Sequence, residues 1–503
     1  MMLNNQKRYS TYILLSVLIL FLLIREFWFA NRQGLHIDES LSFILSAYKD
    51  YGWTKVFGSL TELTGSQVRQ LIWFSDDSIK GMLRDVYHLW QDNRDTPHSN
   101  LYYSLLRIWF TGINPEGNTS FITNWAFKLN QLFFVISFFA IYSIANKLFN
   151  NKQIATLAVF VSFINTASIS NSIFLRPYQM QEALVAIYTL TSLILIRKKL
   201  SLRLLVIHSV STSLAMLSGY FALFYVAMIS VFLFPFLIVK HKDDLKNAIT
   251  FAVKYITLTS FISYIIYPKY FFVDGNRQGE ALDKLGSFSE NLINSVQSLS
   301  MINGFFPAGV LIALSVIAMS LIFIIKNKSI MNETNYFILI LTSTVMLWII
   351  IVQLLSPYKN LARYIYPSLP LFGLFYGYIA FSIYNNYKSI KIIPIIASIV
   401  ILISSSYLYF NGSKVDYINK NREKDCSIIP ENSVIIAKSP WKMGYIATCL
   451  HSDSKYGLTN NFDYNLFKSK GYSTIISDHD ISSDRAKLTN DNVMAYFKKY
   501  SLN

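Results

Sequence analysis

Residues 7–40 read KRYSTYILLSVLILFLLIREFWFANRQGLHIDES. From Tyr12 to Ala30 the run is apolar over about the length that crosses a bilayer, and Lys7 and Arg8 precede it. Basic residues stay on the cytoplasmic side, so the first span is expected to keep its N-terminus inside and to release Asp38 and Glu39 just beyond the outer face. Arg25 lies within the run and no small-residue cleavage signal follows, which points to a retained helix or anchor rather than a signal peptide. Two adjacent carboxylates at that depth suggest chemistry on a membrane-bound substrate. The competing explanation is helix capping, since acids favour the first turn of a helix such as the one expected from Ser40 to Tyr48.

The rest of the chain repeats the apolar pattern. Of 503 residues 53% are apolar, and the mean hydropathy of +0.35 is too high for an ordinary soluble domain. Further apolar blocks lie at about 121–149, 154–172, 177–196, 202–217, 220–239, 248–267, 305–325, 336–355, 364–384 and 392–410. Walking outward and inward in turn places Lys147 with Lys152, Arg197-Lys198-Lys199 with Arg203, Lys240 with Lys242 and Lys246, Lys326 with Lys328, and Lys388 with Lys391 all on the cytoplasmic side. That agreement predicts about eleven transmembrane helices. It also accounts for the net charge of +16 without nucleic acid, because no basic stripe interleaved with aromatics accompanies it and anionic headgroups suit the clusters.

The expected architecture is an all-α polytopic membrane domain, 1–410, with a small α/β domain at 411–503 on the outer, periplasmic side. In that tail, 433–437 and 472–477 look like buried strands and 441–450 like a helix between them. No glycine-rich phosphate loop accompanies them. Cys426 and Cys449, the two cysteines, both fall in the tail; a disulfide and two free thiols are the alternatives, and geometry decides between them. The external segment 31–120 is expected to form a lid or platform, with amphipathic interfacial helices at 39–48 and 98–110. The stretch 61–91 is ambiguous, with Asp76, Asp77, Arg84 and Asp85 exposed on any helix, and reads as a mobile external loop.

Several polar residues recur on the same outer face. His98, in Asp95-Thr-Pro-His-Ser-Asn-Leu-Tyr-Tyr103, can position an acceptor or a phosphate, or can be an exposed turn histidine. Arg176 stands at an external helix boundary ahead of Pro177, where a guanidinium must snorkel or find an anion such as a lipid phosphate. Lys359 and Arg363, in Tyr358-Lys-Asn-Leu-Ala-Arg-Tyr-Ile-Tyr-Pro367, supply a second basic pair suited to phosphate, with a headgroup anchor as the alternative role.

The order of these motifs resembles the GT-C superfamily of integral-membrane glycosyltransferases, in particular its protein-mannosyltransferase and aminoarabinose-transferase-like branch. The matching stretches are His36-Ile-Asp38-Glu39, Pro97-His98-Ser-Asn-Leu-Tyr-Tyr103, Arg176-Pro-Tyr178 and Arg363-Tyr-Ile-Tyr-Pro367, over residues 1–410. Two departures stand out: Ser99-Asn100 replace prolines, and Gly219-Tyr220 replace a His-Tyr pair. The size, short cytoplasmic turns and external tail also look like the phage-type O-antigen glucosyltransferases of serotype conversion.

What the resemblance implies is transfer of a sugar, glucose being one candidate, from a polyprenyl-phosphate donor such as undecaprenyl phosphate to a glycan such as lipopolysaccharide O-antigen. The site would lie at the periplasmic face of a bacterial inner membrane. Asp38 or Glu39 would be the general base and the other would orient substrate. Arg176, Arg363 and Lys359 would stabilise charge on the departing phosphate, and direct displacement would invert the anomeric centre. His36, His98, Tyr102, Tyr178 and Tyr220 would position donor and acceptor. No metal-ligand spacing is present, so no obligatory cofactor is expected. A flippase for lipid-linked saccharide would show internal repeats and broken mid-membrane helices. An O-antigen polymerase or ligase would favour a longer mid-chain external loop than 268–304.

Overall fold

The first apolar run and its basic prelude fold as one helix of 29 residues, α1 (Met2–Ala30). The structure is a computed structural model and describes residues 2–48, 57–73, 76–93, 98–271, 288–326, 332–356, 362–387, 389–390, 392–419, 426–493 and 496–502. After α1 come α2 (Ile37–Ala47), β1 (Thr61–Thr64), α3 (Gly65–Trp73), α4 (Ile79–Gln91), α5 (Leu101–Trp109) and α6 (Thr119–Phe149). Then follow α7 (Lys152–Ile164), α8 (Thr166–Ile173), α9 (Tyr178–Arg197), α10 (Leu202–Ser218), α11 (Ala222–Lys240) and α12 (Leu245–Ile266).

Among the described residues eight helices are long and apolar enough to cross a membrane: α1, α6, α9, α11, α12 and the helices Gly309–Lys326, Glu333–Leu355 and Ile392–Asn411. α7 and α8 pass the same test only when taken together, and they meet at a bend of 64°, as a broken span or a re-entrant loop does. The bend has a local cause. Asn165 leaves the helical region with ψ 157, its side chain accepts the Ser168 amide, and its amide donates to the Ser162 carbonyl, so one residue ends α7 and caps α8.

The remaining two apolar blocks fall below the length of a full crossing. The one expected at 202–217 folds as α10, with 17 residues, as its sequence implied. The block at 364–384 divides into a 3-10 turn, Tyr366–Leu371, and a 15-residue helix, Phe372–Asn386. Pro367 and Pro370 remove two amide donors, so the α-helical ladder begins only at Phe372. That helix opens with Gly373-Leu-Phe-Tyr-Gly377, and a side chain at either glycine would collide with α7 at Ala158. Small residues four apart thus set the close packing of these two helices.

The chain forms two compact units: Met1–Phe27 with Thr96–Leu101 and Asn130–Asp416, and Trp28–Asp95 with Tyr102–Leu129 and Tyr417–Asn503. The first holds most of the apolar helices, with α9 packed on α10, α10 on α12, and Gly309–Lys326 on Glu333–Leu355.

The second unit is built on a six-stranded sheet of order β1-β3-β2-β4-β6-β5. Its further strands are β2 (Val434–Ile436), β3 (Lys455–Thr459), β4 (Thr474–Ser477), β5 (Ala486–Val493) and β6 (Phe497–Leu502). β2 runs parallel to both β3 and β4, and all three of its residues are buried, as a central strand covered on both faces requires. The helix between β2 and β3 is Pro440–Ile446, shorter than the expected 441–450 and continued by a 3-10 turn, Ala447–Cys449.

The stretch 61–91 is not the loop its composition suggested. β1 pairs antiparallel with β3, Thr61 opposite Leu458 and Thr64 opposite Lys455, and closes one edge of the sheet. α3 is fastened by Arg69, a buried guanidinium that donates to the carbonyls of Gly117, Ala447 and Leu450 and to the Ser452 hydroxyl. Asp85, expected to be exposed, is buried and accepts Arg107 Nε at 2.8 Å. Cys426 and Cys449 are joined as a disulfide, their Cα atoms 5.0 Å apart.

Candidate functional site

The acidic pair opens α2 in the second unit. His36 is the N-cap: its Nδ1 accepts the Asp38 amide at 3.2 Å. Glu39, at the third helical position, reaches back so that Oε2 accepts the His36 amide at 2.6 Å, completing a capping box. The same oxygen takes Arg32 Nη2 at 2.5 Å, and both side chains of this ion pair are buried. Arg32 also donates to the Gly34 carbonyl and lies over the Phe29 ring. Glu39 is therefore committed to holding the turn.

Asp38 points elsewhere. Its carboxylate is 29% exposed, with Oδ2 3.7 Å from His36 Nδ1. The two adjacent acids thus differ in the one property that matters for proton transfer, access to an incoming group. The turn is braced from the distal part of the chain: the Gln33 amide donates to the Ile418 carbonyl, Asn419 Nδ2 to the Gly34 carbonyl, and the His36 ring meets Tyr417 edge-on at 5.6 Å. Tyr417 and Asn419 both have positive φ, 64° and 54°, a conformation that costs energy for a non-glycine residue.

The first unit contains a pocket of about 40 Å³. His98, Arg176, Tyr178 and Tyr220, four of the residues singled out from sequence, line it together. Gln181 and Tyr364 line it too and were missed, although Gln181 sits three residues after Tyr178 on the same face of α9. Tyr364 meets Tyr178 at 6.0 Å and Phe221 at 5.6 Å, both edge-on. Arg363 does not line the pocket; it donates to the Tyr364 hydroxyl at 3.2 Å and stacks over that ring. Tyr102 is wholly buried in the second unit, against Tyr103. Lys359 lies outside the described residues.

Arg176 is almost fully buried, and a polar frame holds the turn that carries it. Asn130 Nδ2 donates to the carbonyls of Ser172 and Phe174 at 3.0 and 2.9 Å. Ser172 donates to Gln179 Oε1 at 2.7 Å, and Gln179 Nε2 donates to Glu182 at 2.9 Å. Arg25 completes the frame, donating to Ser172 and Ser168 at 2.9 and 2.6 Å and lying 3.6 Å over the Phe134 ring. A buried arginine is tolerable only with its donors engaged in this way. Arg25, the arginine inside the first apolar run, is thus the anchor of this frame.

No protein-family model matches the chain, and no curated protein matches it. Among solved structures it is similar to an Archaeoglobus fulgidus oligosaccharyltransferase solved in complex with Zn and sulfate, at 13% identity and a TM-score of 0.52. The alignment covers 92% of this chain and 68% of that one. It is also similar to the archaeal oligosaccharyltransferase AglB from Archaeoglobus fulgidus in complex with an inhibitory peptide and a dolichol-phosphate, at 14% identity and a TM-score of 0.49, covering 93% of this chain and 70% of that one. At this identity the likeness is one of fold.

Against the GT-C pattern the two departures have physical counterparts in the first unit. Ser99 Oγ donates to the Leu217 carbonyl and Asn100 Nδ2 to the Ile266 carbonyl at 3.4 Å, occupying acceptors near the C-terminal ends of α10 and α12 that two prolines would leave unmatched. At Gly219 the Gln181 amide takes the space a Cβ would need, 2.9 Å away, so a histidine there would displace it. Among the described residues no three His, Cys, Asp or Glu side chains converge to hold an ion, and His36 and Asp38 offer only two donors while Arg32 engages Glu39.

Proposed function

We propose that the protein is a multi-pass inner-membrane glycosyltransferase with about eleven spans. It transfers a sugar from a polyprenyl-phosphate donor to a cell-envelope glycan, O-antigen being the favoured acceptor class and glucose the favoured sugar. The observation that carries this reading is the pocket in which the buried Arg176 lies with His98, Tyr178 and Tyr220. A guanidinium held in a pocket of aromatic rings and amides, in a unit made of apolar helices, suits an anion delivered by lipid. Outside the cytoplasm no nucleotide sugar is at hand, so the activated sugar arrives on a lipid and its phosphate is the leaving group.

Asp38 takes the proton of the acceptor hydroxyl, because its carboxylate is accessible while Glu39 is bound into the capping box. The O–H bond breaks as oxygen attacks the anomeric carbon, and the C–O bond to phosphate breaks on the opposite face, inverting the centre. The phosphate leaves as an anion stabilised by Arg176, with Arg363 and Lys359 as further cations. His36 orients Asp38; His98, Tyr178 and Tyr220 position substrate. The disulfide of the small sheet domain suits an oxidising compartment.

The test is transfer of radiolabelled sugar from a polyprenyl-phosphate donor to envelope glycan in membranes carrying wild type, Asp38→Asn or Arg176→Ala at matched expression. Loss of transfer in both variants is expected. Undiminished transfer in both overturns the reading. The 64° break at Asn165 is the one feature that favours a transporter instead, and donor translocation without transfer in the same membranes would be its signature.

A further inference from the structure

A second cavity in the first unit has no part in the proposed chemistry. It is a groove of about 760 Å³ bounded by α1, α7 and the helices Phe372–Asn386 and Ile392–Asn411. Its polar residues gather at one end: Ser10 near the start of α1, Asn151, Lys152 and Gln153 at the start of α7, and Tyr384 in the last turn of Phe372–Asn386. Past that end its walls are mostly hydrocarbon, with Val17, Phe160, Ile399 and Leu402 among the lining residues and Thr156 and Ser398 as hydroxyls among them. Lys152 has no ion-pair partner among the described residues. The helix Ile392–Asn411 buries only Ser405, and Ile395 and Ile399, which line the groove, are about half exposed.

A cleft between spanning helices that is apolar along its length and cationic at one end has the pattern of a lipid with an anionic head. We propose that this groove binds one anionic glycerophospholipid, its phosphate against Lys152 and its acyl chains along Val17, Phe160, Ile399 and Leu402. The lipid supplies the packing that the last span lacks. Lys152 belongs to the basic clusters that the charge pattern places on the cytoplasmic side, so the lipid is drawn from the inner leaflet, where anionic headgroups attract lysine. The inference needs only the membrane-spanning reading and is independent of the transferase.

The experiment is native mass spectrometry of the full-length protein in detergent, with dioleoyl-phosphatidylglycerol, dioleoyl-phosphatidylcholine or polyprenyl phosphate added in turn. Wild type is expected to retain one phosphatidylglycerol about fivefold more than phosphatidylcholine, the discrimination one lysine supplies near an anionic headgroup. Lys152→Gln is expected to erase the preference, and Ile399→Trp, which narrows the groove where the acyl chains would lie, to weaken retention of both lipids. Thr156→Phe narrows the groove from α7 and serves the same end should Ile399→Trp not fold. Equal retention of the two phospholipids by wild type, retention undiminished in the narrowed variants, or preferential retention of polyprenyl phosphate would each overturn the proposal.

Discussion

Arg32 and Glu39 form a buried ion pair, Nη2 to Oε2 at 2.5 Å, and that same oxygen caps the helix that presents Asp38. Two neighbouring carboxylates are thereby assigned different work by their surroundings. One is enclosed by a guanidinium and a backbone amide; the other keeps part of its surface in solvent.

The first prediction separates those roles by stability. Glu39→Gln leaves the Arg32 cation buried without its counter-ion and is expected to lower stability by about 3–5 kcal/mol. Asp38→Asn changes a partly solvated group and is expected to shift stability by less than about 0.5 kcal/mol while lowering transfer by about 10²–10⁴-fold. Thermal melts of the two detergent-solubilised proteins, set beside sugar transfer, decide it; a stable Glu39→Gln protein would contradict the structural role.

Gln179 links Ser172 to Glu182 within the frame behind Arg176. Gln179→Leu should cost about 1–3 kcal/mol, since it leaves a buried hydroxyl and carboxylate short of a partner. It should also raise KM for the lipid donor more than it lowers kcat, because the turn carrying Arg176 loosens while Asp38 is untouched. Equal loss in both constants would mean that the frame does not serve donor binding.

Asp478 joins the end of β4 to the helix Pro440–Ile446. Burial would raise its pKa, but hydrogen bonds from His479 and from the Ser439 and Lys438 amides, with the Lys442 charge, hold the carboxyl below the usual carboxylate range. A depressed folded-state pKa adds stability that is complete above the unfolded value, about 3.9, and disappears as pH falls through the folded value. Acid is therefore expected to weaken this joint in wild type and to have less effect in Asp478→Asn. Melting curves between about pH 5 and pH 2 would show it; identical pH profiles would exclude the carboxylate.

The Cys426–Cys449 bridge closes a loop with a sequence separation of 23. Replacing both cysteines by serine is expected to destabilise the sheet domain by about 2–4 kcal/mol. A maleimide-polyethylene-glycol shift on gels should occur only after reduction. Labelling without reductant would show free thiols.

Much of the first unit was legible because burial in lipid imposes a long apolar run that any window of sequence reveals. α1, α6, α9, α11 and the helix Glu333–Leu355 lie close to where hydropathy put them. Arg176 was legible for a related reason, since a charged group at the end of an apolar run requires a partner, whereas Tyr178 and Tyr220, which line the same pocket with His98, were named only through the motif resemblance. Where prolines interrupt the ladder, at 366–371, hydropathy alone overstated the helix. The stretch 61–91 was misread because β1 has only four residues, and its partner β3 lies almost four hundred positions away in sequence, beyond the reach of local periodicity.

Sequence by itself determined that the chain has many membrane-length apolar helices with the acids, His98 and Arg176 at their ends, since the hydrophobic effect acts on composition within a single segment. Only the tertiary structure decided that Glu39 closes a capping box and pairs with Arg32, that Arg25 frames the Arg176 turn, and that Thr61–Thr64 is the edge of a distant sheet. Those outcomes depend on hydrogen bonds between residues far apart in the chain. Such bonds are set by the directions of individual donors and acceptors, which spacing along one segment does not encode.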